Sequence, residues 1–333
     1  MIPTAATHAR RQWLQRLATL AATTGLAPKA AWSQVRFSDR PISLLVPFAP
    51  GGIADLTARA VAEHMAKSLG QAVVVENKPS AGSIVASLAV ANAKPDGHTL
   101  LLMSNANAVS VGLFKKLPFD VQRDFACISL LGSFDIGLFV PAPSRFVSLK
   151  DLVAYAKAHP GKLNVGSIAP GSTQHLAAKL FETVAGLDML VVPYKGSPAL
   201  LTALRAGEVD LAFEVLGPMV AQVAAGAVRA LAVSSDKRNA ALPDVPTVQQ
   251  AGVAGYQVAS WNALAAPAGT PPEVINALNR AAREALANPG VQDKLGRAGM
   301  RLHGSTPTEL QTLLGSEIKR WGDVIRAAKI EPE

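Results

Sequence analysis

Residues 41–70 read PISLLVPFAPGGIADLTARAVAEHMAKSLG, and this stretch decides the fold. An apolar strand, Ile42–Pro47, runs into Pro50-Gly51-Gly52 and then directly into an amphipathic helix. Ala58, Val61, Ala62, Met65 and Leu69 recur at helical spacing on one face, and Arg59, Glu63 and Lys67 occupy the opposite one. A glycine-rich turn at a helix N-terminus bares backbone N–H groups that have no intrahelical acceptor. The helix dipole adds partial positive charge at the same place, so the turn suits an anion, a carboxylate as well as a phosphate.

The motif returns further on. Residues 163–186, LNVGSIAPGSTQHLAAKLFETVAG, are again strand, Pro-Gly-Ser turn and helix. Ala177, Leu180, Phe181 and Val184 form the buried face of this helix, and Ser172 or Thr173 is its N-cap. Either loop alone is equally explained by glycine's freedom at φ > 0. Together they argue for binding, because ligands of open α/β sheets sit at the carboxyl ends of the strands.

The rest of the chain alternates in the same way. Strands are expected at Ala72–Glu76, Thr99–Met103, Leu163–Ser167, Met189–Tyr194, Val209–Val215, Val228–Ser234 and Trp261–Ala266. Helices fall near 81–93, 148–158, 174–185 and 218–225. Ser197-Pro198 opens a further helix with Ser197 as N-cap. Thr270-Pro271-Pro272-Glu273 and Thr306-Pro307-Thr308-Glu309 both read as capping boxes. This pattern predicts an α/β protein with largely parallel sheets covered by helices. About 300 residues suggests two units, and no Ser/Gly-rich tether divides them. The apolar stretch 128–140 and the strand near 258–266 therefore read as two crossovers. One lobe is residues 34–139 plus 261–333; the other is 140–260.

Residues 1–33 hold Arg10, Arg11, Arg16 and Lys29 and no acid. A basic start, a short apolar middle and a small-residue end describe a cleaved export signal, too short and polar to span a membrane. Arg10-Arg11 before Gln12-Trp13-Leu14 resembles a twin-arginine signal, with Sec export the other route. Ala31 and Ser33 place cleavage after Ser33. Without this segment the formal charge falls from +8 to +4. That balance is mild, and no basic run carries interleaved aromatics, so nucleic acid is not an expected partner. Cys127 is the sole cysteine, which excludes an internal disulfide and a cysteine metal site.

The pieces PISLLVPFAPGGIADLTAR, VVVENKPSAGS, AKPDGHTLLL, PGKLNVGSIAPGSTQHLAAKLF, VPYKGSPALLTAL, GEVDLAFEVL and RALAVSSDKRNAALPDVPTVQQAG, in this order, resemble the substrate-binding proteins of tripartite tricarboxylate transporters, the Bug family. The resemblance spans residues 41–333. It implies a type II periplasmic-binding-protein-like fold, two α/β lobes closing around a small carboxylate, and a periplasmic monomer that serves membrane transporter subunits without a cofactor, a metal or a catalytic residue. It also implies that the two loops hold the carboxylate mainly through main-chain N–H groups and waters. Neither loop contains an Arg or Lys, and neutralising Lys179 or Lys195 is expected to matter less than blocking the loops. Carried over position by position, the ligand contacts fall on Gly51, Gly52 and Ile53, on Ser104 and Asn105 after the third strand, and on Gly171, Ser172, Thr173 and His175. Asp55 is read first as a residue that complements the helix start, facing away from the anion. His175 is read first as a helix-start residue.

Two places depart from the family's wording. Residues 104–107 are Ser-Asn-Ala-Asn, and Glu214 stands where Asp is usual. A longer carboxylate at the cleft would shrink the pocket or pair with a ligand amine, so the choice of carboxylate is open. An enzyme is the first rival reading. The turn at 47–52 lacks G-x-G-x-x-G, however, and the chain has no G-K-[ST] and no G-x-S-x-G. His64, His98, His159, His175 and His303 show no H-x-x-x-H spacing. A periplasmic ligand sensor for a membrane histidine kinase is the second rival, and its sequence would look the same.

Overall fold

The computed structural model describes Phe37, residues 40–327 and residues 330–332; the expected export segment and its cleavage point lie outside them. Strand β1 (Ile42–Val46) pairs in parallel with β2 (Val73–Asn77) and β3 (Thr99–Ser104), Leu44 lying opposite Val75 and Leu100. Between β1 and β2 runs helix α1 (Ile53–Leu69), with Ala58, Val61, Ala62 and Met65 buried as its spacing predicts and Leu69 half-buried. Gly70 ends it in the left-handed conformation, its N–H bonded to Ala66 O. A short 3₁₀ turn, Ala81–Ser83, leads into α2 (Ile84–Ala91).

Helix α3 (Asn105–Leu113) follows β3 without a turn. Residues 104–107 form a capping box, in which Ser104 Oγ accepts from Ala106 N–H and Asn107 Oδ1 accepts from Ser104 N–H. The Ser-Asn-Ala-Asn run is thus the helix start itself.

Strand β4 (Phe125–Pro141) holds the molecule together. Phe125–Asp135 pairs antiparallel with β9 (Ala259–Pro267), while Ile136–Pro141 pairs antiparallel with β7 (Leu211–Val215) and β8 (Val228–Val233). One strand therefore serves two sheets. In the second sheet, β5 (Asn164–Ile168) is parallel to both β6 (Leu190–Tyr194) and β7. Helices α4 (Leu149–Ala158), α5 (Thr173–Ala185), α6 (Ser197–Ala206) and α7 (Leu216–Ala224) alternate with these strands. Phe139, Leu200, Leu204, Ala212, Leu216 and Val233 form the core there.

The chain returns to the first sheet between Ser234 and β9. Ser234 Oγ donates to Val258 O at 2.6 Å and accepts from Ile136 N–H at 3.1 Å, which ties the outgoing and returning segments together. The path is completed by α8 (Pro272–Ala287), α9 (Pro289–Arg297), β10 (Met300–Leu302), which pairs with Gly132–Phe134 of β4, and α10 (Pro307–Ala327). The result is an α/β protein of two lobes joined by two crossovers. Its sheets are mixed rather than largely parallel, because β4 and β9 both run against their neighbours.

Two helix starts differ from expectation. Gly196, not Ser197, is the N-cap of α6, and no side chain caps it. Thr270 does not cap α8. Its hydroxyl turns back to Pro267 O at 2.7 Å, and the helix begins one residue later, after Pro271. The Thr306–Glu309 box does form, with Thr306 N–H bonded to Glu309 at 2.8 Å and Glu309 N–H to Thr306 Oγ1 at 3.2 Å.

Candidate ligand-binding cleft

A cleft open to solvent lies between the lobes. Four helix starts meet on it: Gly52–Ala54 of α1, Ser104 before α3, Thr173-Gln174 of α5 and Gly196-Ser197 of α6. The first intrahelical bonds are Leu56 N–H to Gly52 O in α1, Leu176 N–H to Ser172 O in α5 and Leu200 N–H to Gly196 O in α6. Ile53, Ala54, Thr173, Gln174 and Ser197 therefore carry N–H groups with no acceptor in their own helix. Phe48, Ile53, Phe134 and Ile168 supply apolar wall, and Ser80, Ser260 and Asn262 add polar groups. Among the described residues, Lys195 is the single charged side chain of the lining. The wall is rich in donors, carries one cation and shows no carboxylate, an arrangement that favours an anion.

Of the residues expected from the sequence, Gly52, Ile53, Ser104 and Thr173 line this cleft. The others stand behind it. Gly51, at φ +86, turns the loop, and its N–H is taken by Asp55 Oδ2 at 3.0 Å. Asp55 is buried, and its Oδ1 accepts from Arg59 Nε and Asn77 Nδ2, both at 3.0 Å. Burial raises the Asp55 pKa, but the bonds from Arg59, Gly51 and Asn77 outweigh it and hold the carboxyl below its ordinary value. Asn77 also donates to Phe48 O at 3.0 Å. Asp55 and Asn77 thus brace residues 48–51 from the rear.

Asn105 likewise works from behind. Its Nδ2 donates to Thr173 Oγ1 at 3.2 Å, and its Oδ1 accepts from the buried Trp321 of α10 at 2.9 Å. Thr173 Oγ1 also bonds Ser260 Oγ at 2.8 Å. This chain links α3, α5 and β9 across the two lobes. Ser172 is the N-cap of α5, accepting from His175 N–H at 3.2 Å. His175 itself is half-buried, and its Nδ1 has no partner among the described residues. Burial, helped by Lys179, pushes its pKa down to about 4, so the ring is neutral at ordinary pH. Gly171, at φ +77, lies where a Cβ would stand 3.0 Å from Gly82 N, beside the bond from Gly82 N–H to Pro170 O.

Glu214 is 1% exposed and stays out of the cleft. Its Oε1 accepts from Gln174 Nε2 at 2.9 Å and from Val215 N–H at 2.7 Å, while Oε2 has no partner among the described residues. Burial raises its pKa.

The sequence does not mark Gln174, Gly196, Ser260 or Asn262 as site residues, and it marks Ser197 only as a helix N-cap. Ser260 and Asn262 share one face of β9 at period two, a signal present in the string but without meaning until the facing lobe is in place. Lys179 pairs with Glu182, whereas Lys195, set aside in the sequence with it, lies on the cleft.

Two lobes joined by two crossovers around a donor-lined cleft define the type II periplasmic-binding fold. The family model "Tripartite tricarboxylate transporter family receptor" matches residues 57–330, and the chain belongs to this family. BugT of Bordetella pertussis is 35% identical over 307 residues, covering 92% of this chain and 94% of that protein. Among solved structures, MatC from Rhodopseudomonas palustris with bound malate aligns at a TM-score of 0.83 and 34% identity, over 87% of this chain and 100% of that one. R. palustris Rpa4515 with adipate aligns at 0.85 and 33% identity, over 89% and 100%.

Proposed function

We propose that the protein is a periplasmic solute-binding protein, exported by residues 1–33, that captures a small carboxylate and delivers it as a monomer to the membrane subunits of a tripartite tricarboxylate-type transporter. The lobes are residues 34–139 plus 261–333 and 140–260. The meeting of four helix N-termini on one cleft, beside a single lysine and no lining carboxylate among the described residues, carries this reading. Gly52, Ile53, Ser104 and Thr173 touch the ligand. Gly51, Asp55, Asn105, Gly171, Ser172, His175 and Glu214 hold those contacts in place. The malate and adipate of the two R. palustris proteins belong to the same chemical class.

The test is thermal. A ligand that binds only the folded chain stabilises it by about 2.7 kcal/mol at 100 times its Kd. A screen of mono-, di- and tricarboxylates, aromatic ones included, is expected to give at least one clear rise in Tm. The matching amide should give little, because it lacks the charge and turns a donor toward donors. Equal stabilisation by the amide, by sugars or by cations overturns the carboxylate assignment.

A further inference from the structure

Gln174 is the second residue of α5, it lines the cleft, and one end of its amide is already committed. Glu214 Oε1 accepts from Val215 N–H at 2.7 Å, so that oxygen is an acceptor, and the amide atom 2.9 Å away from it is the Nε2 donor. The other end is Oε1. It has no partner among the described residues, and Gln174 is one of the residues that line the cleft. Glu214 cannot swing away to release the amide. It is 1% exposed on the central strand β7, and its Oε1 is also held by Val215 N–H at 2.7 Å.

The consequence is an acceptor held in a wall whose helix starts offer donors. A carboxylate oxygen against Gln174 Oε1 is repelled, and a methylene there leaves a desolvated carbonyl unpaired once the ligand covers it. A hydroxyl or amine satisfies it. We propose that Gln174, oriented by Glu214, makes the cleft selective for carboxylates that also carry a hydroxyl or amino donor. Gln174 is the specificity residue and Glu214 a positioning residue. The inference rests on the carboxylate reading above.

Calorimetry on the full mature chain with matched pairs tests it: succinate against malate and aspartate, glutarate against glutamate, benzoate against 3- and 4-hydroxybenzoate. In at least one set the donor-bearing acid should bind about tenfold tighter than its plain partner. Gln174→Met, close in volume and without the acceptor, should bring that ratio to within about threefold. Glu214→Leu, which frees the amide to turn, should lower the ratio too, whereas Glu214→Gln retains an acceptor and should restore it. A purely structural role for Glu214 would change both affinities together and leave the ratio alone. Plain acids that bind as tightly as their partners in every set overturn the proposal, as does a ratio untouched by Gln174→Met. If none of the carboxylates binds, the carboxylate reading itself fails. If Glu214→Leu does not fold, the Gln174→Met ratio decides alone.

Discussion

Gly217→Ala is expected to lower the melting temperature by about 5 °C. A Cβ at Gly217 would lie 1.6 Å from Ala298 O and 2.3 Å from Ala298 C. Both are main-chain atoms, so no side-chain rotation relieves the overlap. The position is also structurally central. Gly217 follows Leu216 and Val215, and Val215 lies opposite Ile136 of β4. Ala298 precedes Gly299 and Met300, and Met300 lies opposite Phe134. The contact therefore sits beside the point where β4 leaves one sheet and enters the other. Overpacking a tight site costs about 1–3 kcal/mol, occasionally more, and a main-chain overlap of this depth belongs at the top of that range. Gly296→Ala is the control, since its added methyl would meet nothing within 4 Å. Scanning calorimetry checks the pair; a Gly217→Ala variant melting within about 1 °C of the parent would refute the account.

Arg301→Met is the second large effect. Asp135, the last β4 residue paired with β9, has a side chain 1% exposed, and both its oxygens accept from Arg301 at 2.9 Å. Asn239, from the opposite lobe, donates to Oδ2 at 2.8 Å. Removing the guanidinium leaves a buried carboxylate with one neutral donor. Losing one partner of a buried pair costs about 3–5 kcal/mol. The Arg301 side chain is 54% exposed, so water shares the load and about 3 kcal/mol is the expected loss. Asp135→Asn should cost less, because the arginine it frees already reaches solvent. Urea unfolding measures both, and equal losses, or an Arg301→Met loss below about 0.5 kcal/mol, would show the ion pair to be incidental.

Much of this fold was legible in the chain because its signals are local. The strand–Pro-Gly–helix units at 42–69 and 164–185 are marked by hydrophobic period and turn chemistry, and both formed where expected. The apolar run 128–140 betrayed the crossing strand, since a stretch that long without a turn has to leave its sheet. Capping was read less well. Thr270-Pro-Pro-Glu and Thr306-Pro-Thr-Glu look alike as strings, but only the second is a box, because Thr270 finds a nearer acceptor in its own preceding turn.

The cleft was half legible. Gly52, Ile53 and Thr173 lie in motifs that advertise an anion site. Ser197 and Gln174 do not, because their place on the wall depends on how two distant loops come together. Glu214 shows the converse: a carboxylate at a strand end looks like a cleft residue until the packing of α5 and α6 covers it.

The shared strand β4 also sets an order of events during synthesis. The strands of the second sheet all lie between Ile136 and Val233, so that sheet can close as soon as this stretch has been made. The first sheet cannot. Between β3 and β4 belongs β9, which starts at Ala259, and until it emerges both neighbours present bare edges. The outer edge of β3 is thus among the last to be paired, and the nascent chain carries it open from Ser104 until β9 has been made, the kind of surface on which a holding chaperone acts.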